Sequence, residues 1–470
     1  MHELDKTVIS VSKLLTQPTL SIPLYQRPYK WSQENLSALL NDLRVYRNKS
    51  AYRLGTIVFH NNTLDSRLDI VDGQQRTLTL FLLVKALLED RLSNLKREDI
   101  RKQLNDLIIP INQFLVGQHF NSDISHQNLH QNYMAARRAV SRSDYTEDDI
   151  DFLLNRCQLV IFVLKDESEA FQFFDSQNAR GRDLDPHDLL KAFHLREFSQ
   201  AELKLKAHSV SHWESLESTV LAQLFAKYLF RIRNWAQGKS AQQFSKAQVN
   251  LFKGVNLEKI GFYPYVEQLR IAHHFVDDYN GQYHRNIDHQ TMKFPFHLDQ
   301  KVINGRRFFE MTTYYQQLIA DIVDDERHER GNQKLRLLNT ELDDTASNIL
   351  HTLNTYGSRN RTGDKYIRII FDCALIFYID KFGTQELSPA IEKLFVWAYT
   401  CRLRMQAVQL ATMDNHVLDN NVFEYIKQAI KPSDVLSLPL GTVKDSKNSK
   451  INGTKLDEIE TLFKRLKYYE

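Results

Sequence analysis

The stretch Leu68-Asp69-Ile70-Val71-Asp72-Gly73-Gln74-Gln75-Arg76 sets a carboxylate, a glycine, two amides and a guanidinium side by side, Asp72 to Arg76. Together these groups can hold a phosphate. Gly73 lets a ligand approach the backbone, the free N–H groups at a helix start attract an anion, and Arg76 can bind two phosphate oxygens at once. Asp72 repels a bare phosphate but suits one that carries Mg²⁺, or a water that must be oriented. The same residues also suit an ordinary capped helix start with Asp72 as N-cap. Taken alone, the five residues leave both readings open.

The elements around them follow from periodicity. Alternating apolar and polar residues precede the turn, and Leu78, Leu80, Phe81, Leu82, Leu83, Leu87 and Leu88 follow it densely enough to fill the buried side of a helix. Upstream, residues 7–20 read as a short helix and turn. Ile22-Pro23-Leu24-Tyr25-Gln26-Arg27-Pro28-Tyr29-Lys30-Trp31-Ser32 comes next, its two prolines fixing an extended backbone that presents Tyr25, Gln26, Arg27 and Tyr29 in alternating directions. This segment can flank a base or phosphate; equally, its aromatic rings can pack on the core while Arg27 pairs with a carboxylate. Ser32 caps a helix with Leu36, Leu39, Leu40 and Leu43 on one face. Residues 53–60 and 64–71 read as two strands joined around Asn61-Asn62. Residues 84–151 read as helical and polar, with solvated charged faces such as 91–102, and residues 157–164 as an apolar strand. A helix over 167–179 is expected to stop at Gly181, and Asp185 with Pro186 to start the next.

The blocks at 22–32, 68–76 and 171–191, in this order and spacing, resemble the family called domain of unknown function 262, the N-terminal domain of GmrSD-type, modification-dependent restriction systems, whose hallmark is the Asp-Gly-Gln-Gln-Arg motif. The resemblance covers residues 1 to about 200 of the chain; beyond them only helical character and the Ile303-Asn304-Gly305 to Phe308-Phe309 stretch are similar. It implies an α+β architecture: a small mixed-sheet domain with a ParB/sulfiredoxin-like fold, followed here by a large all-helical region. It also implies that Asn178, Asp188 and Lys191 line the same pocket as the Gln-Gln-Arg turn. There a lysine can supply a point charge to a phosphate and Asn178 can read a ribose or base edge. Without the resemblance, Asp188 and Lys191 are simply a helix pair at i, i+3, worth ~0.2–0.5 kcal/mol.

Composition sets the outer bounds. With 470 residues, 42% hydrophobic and 25% charged, the chain can bury a full core and hold more than one domain. We expect a nucleotide-binding domain over 1–200, a helical domain over 201–440, a linker over 441–455 rich in Lys, Ser, Asn and Gly, and a last helix within 456–470. The most apolar run, residues 367–378, is interrupted by Arg368 and Asp372 and falls short of the ~20 residues a membrane span needs. Glu3, Asp5 and Lys6 precede any apolar run, so no signal peptide is expected and the protein is expected in the cytoplasm. Cys157, Cys373 and Cys401 are too scattered for a disulfide framework or zinc knuckle and read as buried apolar residues. A net charge of +3 is silent on DNA.

Several local patterns carry less. Gly238-Lys239-Ser240 imitates the end of a Walker A loop, but position 233 is Arg and no apolar strand precedes it. His273, His274, His284 and His289 match no metal-ligand spacing. Arg359, Arg361 and Lys365, beside Tyr356 and Gly357, form a basic loop that can touch DNA phosphates or serve as a plain helix connection.

Two functions follow as expectations. In the first, the chain is a Mg²⁺-dependent NTPase of anti-phage defence that senses foreign or modified phage DNA and licenses a partner nuclease. Arg76, Arg27 and Lys191 hold phosphates, Gln74 and Gln75 orient phosphate or water, and Asp72 holds Mg²⁺ or water. Tyr25, Gln26, Gly73, Asn178 and Asp188 complete the nucleotide pocket. In the second, a non-hydrolysing adaptor binds DNA or protein. Expected partners are a nucleoside triphosphate, DNA, a His-Asn-His nuclease and further copies of the chain, with no membrane. Relatives of the fused kind carry a C-terminal nuclease with a Glu-His-Ile signature, and no Glu-His pair in a strand-turn setting follows residue 200 here. A one-metal nuclease needs a histidine to activate water. Plasmid incubated with the purified chain and Mg²⁺ or Mn²⁺ should therefore stay uncut; cleavage abolished by substituting surface histidines would overturn this.

Overall fold

Cys157–Leu164, read from sequence as an apolar strand, has that extent and pairs on both of its edges. This computed structural model describes all residues except 1–4, 24, 25, 27, 63–65, 119, 121–122, 166–184, 199–202, 259–262, 325–334 and 445–456. The expected helix over 167–179 and its stop at Gly181 thus lie outside the described residues. The chain divides into two compact units, Met1–Glu217 and Ser218–Glu470.

The first unit is built on a five-stranded mixed sheet of order β1-β5-β3-β4-β2. The strands are β1 Asp5–Ser10, β2 Leu20–Ser21, β3 Tyr52–Asn62, β4 Arg67–Asp72 and β5 Cys157–Leu164. β1 runs antiparallel to β5 and β3 antiparallel to β4, whereas β3 with β5 and β2 with β4 are parallel. Two expectations change here. Residues 7–10 belong to β1, so the first helix, α1, is only Val11–Leu15. Asn61 and Asn62, expected as the hairpin turn, remain in β3 opposite Leu68 and Arg67, because the ladder continues to that point.

Helices cover the sheet. α2 is Gln33–Tyr46, α3 Gln74–Asp90, α4 Glu98–Val116, α5 Asp123–Val140, α6 Glu147–Asp151, α7 Pro186–Arg196 and α8 Leu203–Ser215. The Ser32 N–H donates to Asn35 Oδ1 at 3.0 Å at the start of α2, whose Leu36, Leu39 and Leu43 are buried. α3 is apolar almost all round because it is buried almost all round, from Thr77 to Val84 without a break. Phe81 stacks on Phe114 of α4 with ring centroids 4.0 Å apart. α7 begins as read, with Asp185 as N-cap and Pro186 in the first turn.

Among the described residues the second unit is mainly helical, with a small hairpin of Arg336–Leu337 and Thr340–Glu341. The protein as a whole is α+β, a small mixed sheet near the N-terminus and a helical C-terminal region. The centre of the second unit is formed by α9 (Asp344–Thr355), α10 (Thr362–Phe382) and α11 (Leu387–Arg404). α10 contains the most apolar run of the sequence, buried from Ile370 to Ile379. Among the described residues no helix is long and apolar enough to cross a membrane. Val443, within the expected linker, is buried and pairs with the C-terminus: its N–H donates to Tyr468 O and its carbonyl accepts from Glu470 N. The three cysteines are buried and unbridged, as read. Ser240 of the Walker-like triplet donates its hydroxyl to Asp414 at 2.6 Å, and the preceding Arg233 is buried on the carbonyls of Leu298 and Gln300.

Truncating Phe81 to Ala removes a fully buried ring together with its partner stack. We expect a loss of about 3–5 kcal/mol in urea unfolding followed by a probe in the first unit.

Candidate functional site

β4 ends at Asp72 and α3 begins at Gln74, so Gly73 is the joint. It has φ of +91°, and a Cβ there would lie 2.8 Å from Ile57 Cγ1 and 3.2 Å from Thr56 O. Both conformation and space demand glycine. Gly73 therefore occupies the cap position in place of Asp72, whose Oδ1 instead accepts from the Gly73 N–H at 2.8 Å. The first intrahelical bond of α3 is Thr77 N–H to Gly73 O. The N–H groups of Gln74, Gln75 and Arg76 make no hydrogen bond among the described residues. They are the orphan donors every helix start carries, and here they face the turn that Asp72 closes.

Arg76 turns back over β3. Its guanidinium lies against Gly55, where an added Cβ would be 2.7 Å from Nη1. Gly55 has φ of +125° beside an irregularity in the β3 and β5 pairing, so the strand bends where the guanidinium sits. Nη1 donates to Thr56 O at 3.4 Å, a long bond and the one its guanidinium makes among the described residues. Burial lowers its pKa, and the negative charge of Asp72 and the Tyr52 ring hydroxyl oppose that shift.

The two glutamines flanking this turn are structural ties. Gln75 is buried; its Oε1 accepts from the N–H groups of Lys30 at 2.8 Å and Trp31 at 3.1 Å, and its Nε2 donates to Pro28 O at 3.2 Å. Gln26, also buried, donates through Nε2 to Ile70 O at 2.9 Å and Val71 O at 2.6 Å. The 22–32 segment is thus fastened to both β4 and α3. Tyr29 packs into the core, its hydroxyl 2.7 Å from Thr79 Oγ1 and 2.9 Å from Asn132 Nδ2, and burial raises its pKa. Ser125 and Asn128 of α5 bind the Tyr29 backbone. Trp31 packs against the same core. Tyr25 and Arg27 lie outside the described residues, as does Asn178.

The third block also reaches this region. Lys191 is buried, and its Nζ donates to Gln26 O at 3.3 Å and Glu214 Oε1 at 2.9 Å. Expected as a phosphate contact, it has its charge met by Glu214 of α8 and braces the carbonyl of Gln26. Lys30 Nζ lies 4.0 Å from an Asp185 oxygen. Asp185, the buried His187 and Asp188 bring one ligand atom each within 4.8 Å of one another, the group among the described residues suited to a metal. Asp72, expected to hold the metal, is not part of it. Burial lowers the His187 pKa, with the two aspartates opposing.

Sequence reading misses the residues that tie these segments together: Thr79, Ser125, Asn128, Asn132 and Glu214. A signal existed for two of them. Thr79 interrupts an apolar run four residues after Gln75, and Asn132 sits among buried positions of α5. Glu214 had none, because its partner is supplied only by folding.

Comparison with protein-family models matches residues 11–195 to the N-terminal domain of the GmrSD restriction endonuclease and residues 205–453 to a family of unknown function, DUF7834. The GmrSD-type resemblance read from the three blocks is thereby borne out. No curated protein matches the chain.

Replacing Lys191 by Met leaves the partly buried Glu214 without its cation. A loss of about 3–5 kcal/mol is expected in chemical denaturation, with much of it restored when Glu214→Leu is added. Recovery failing in the double variant would mean that the pair is not what couples α7 to α8.

Proposed function

Since the chain belongs to the family of unknown function whose model spans residues 205–453, and its first part is a GmrSD restriction endonuclease N-terminal domain, we propose that it is a nucleotide-binding component of a restriction-type anti-phage defence system. One observation carries the nucleotide reading. At the start of α3 three backbone N–H groups without acceptors adjoin a guanidinium that makes one long hydrogen bond, the donor set for an anionic phosphate. The ParB-like fold implied by the Asp-Gly-Gln-Gln-Arg resemblance agrees with this use of the turn.

In this reading the N–H groups of residues 74–76 and Arg76 hold the phosphates of a nucleoside triphosphate. A single carboxylate suits Mg²⁺ carried in by a triphosphate, because that ion keeps waters and phosphate oxygens as its other ligands. Asp72 is the residue for that contact, and Mg²⁺ would neutralise charge on the phosphates. Gln74 lines the turn; Gln75, Gln26 and Lys191 act as positioning residues, holding the 22–32 segment over it. Asp188, and Tyr25, Arg27 and Asn178, are assigned to the pocket by the resemblance. Hydrolysis joins a water oxygen to the γ-phosphorus as the bond to the bridging oxygen breaks, releasing phosphate and a proton. Turnover would report contact with foreign or modified DNA and license a His-Asn-His nuclease partner.

The engagement of Asp72 Oδ1 by the Gly73 N–H favours a second reading, an adaptor that binds nucleotide without turnover. Phosphate release from ATP, GTP, CTP and UTP with Mg²⁺, with and without plain and modified phage DNA, separates the two. We expect release that Asp72→Ala and Arg76→Ala each reduce by at least about 100-fold, in the range lost when a charge-stabilising group is removed. Calorimetric binding without release under every condition would select the adaptor; absence of both would refute the nucleotide site.

A further inference from the structure

The helical unit holds a second, separate concentration of cations. α9, the loop after it, the beginning of α10 and Lys227 enclose a cavity of about 320 Å³. Its lining includes Lys227, Arg359, Lys365 and Arg368 against the carboxylate of Asp372. Arg368 is accounted for: Nε donates to Asp372 Oδ1 at 2.7 Å, and Nη1 to Asn354 Oδ1 at 2.8 Å and Leu353 O at 3.3 Å. Lys227, Arg359 and Lys365 meet no carboxylate among the described residues. Arg359 spends Nη1 on the carbonyls of Thr355 and Tyr356, which orients the rest of its fork.

The wall behind these cations is braced by buried polar contacts. Tyr356 is buried and donates its hydroxyl to Asp364 Oδ1 at 3.2 Å, and Arg402 Nε reaches the same oxygen at 2.9 Å. Both members of that ion pair are buried. Lys227 comes from a π-helical segment, Leu224–Leu229, a distortion found often at functional sites because it re-aims side chains. Three like charges around one recess repel one another, a cost that an anionic ligand removes. The recess has the size of a small-molecule site and exceeds what one phosphate fills, with Leu353 and Ile369 as apolar wall for a sugar or base.

We propose that this cavity is a phosphate-binding site for a phosphorylated nucleoside, presented free or within a nucleic-acid strand. Lys227 and Lys365 supply point charges and Arg359 the directional donors. The site stands on its own residues and does not depend on the reading of the Asp72 to Arg76 turn.

The test uses the full chain carrying Arg76→Ala, so that binding at the first unit is suppressed. ATP and inorganic phosphate are titrated by calorimetry, and labelled single-stranded and duplex DNA by anisotropy across a salt series. Adding Lys227→Gln and Lys365→Gln should weaken the phosphate ligand by at least about tenfold, as expected for loss of charged hydrogen bonds. Loss of ATP binding with unchanged DNA binding identifies a free nucleotide. A fall of about two in the slope of log K against log salt identifies a nucleic-acid phosphate. Arg359→Gln with Lys365→Gln, both at exposed positions, repeats the measurement should the Lys227 variant not fold. Binding of ATP, phosphate and DNA that is absent, or equal in the folded variants and their Arg76→Ala parent, would overturn the proposal.

Discussion

The site in the first unit depends on two buried amides. Gln26 and Gln75 come from different parts of the chain, yet both use side-chain groups to satisfy backbone polar groups of another segment. A buried amide left unpaired costs about 1–3 kcal/mol, so each glutamine has one low-energy arrangement, with the 22–32 segment drawn against β4 and α3. Without that closure Gln26 and the residues from Pro28 to Trp31 have no reason to lie beside the turn. With it, Gly73, Asp72 and Arg76 lie on a braced wall.

Glycine then decides where the charges go. Gly73 allows the abrupt change from strand to helix that leaves three amide donors together, and Gly55 leaves room for the guanidinium of Arg76 above the sheet. One position lies within β3 and the other at the joint of β4 with α3, and both act on one side-chain cluster. Their shared effect is to keep a cation half-buried with few competing acceptors, which is the electrostatic condition for gripping an anion. Lys191 shows the contrasting solution: a cation buried with its own carboxylate contributes to the framework rather than to a ligand site.

The second unit repeats the theme with different means. There the framework is the Asp364, Arg402 and Tyr356 group, buried and mutually bonded, and Arg359 and Lys365, which meet no carboxylate among the described residues, project from the elements it fixes. In both units charge held in ion pairs braces the fold, and cations in no ion pair among the described residues mark the candidate surface.

Much was legible in the sequence. The apolar strand at Cys157–Leu164, the leucine face of α2 and the start of α7 at Asp185 and Pro186 follow from local chemistry and short spacing, while the α+β class and the GmrSD-type likeness came with the resemblance of the three blocks. Such features depend on neighbours within a turn or a strand, so the pattern of residue types carries them. The engagements of Gln75, Gln26 and Lys191 do not: the glutamines were assigned to a ligand on the chemistry of their end groups and Lys191 through the family resemblance, and each is engaged by a partner distant in sequence. The extension of β3 through Asn61 and Asn62 was likewise set by pairing across the ladder, against the turn preference of asparagine. The sequence by itself determined which groups are present and which elements carry them. Tertiary structure decided which of those groups are already satisfied, because hydrogen-bond partners and counter-charges are supplied by segments that only folding brings together.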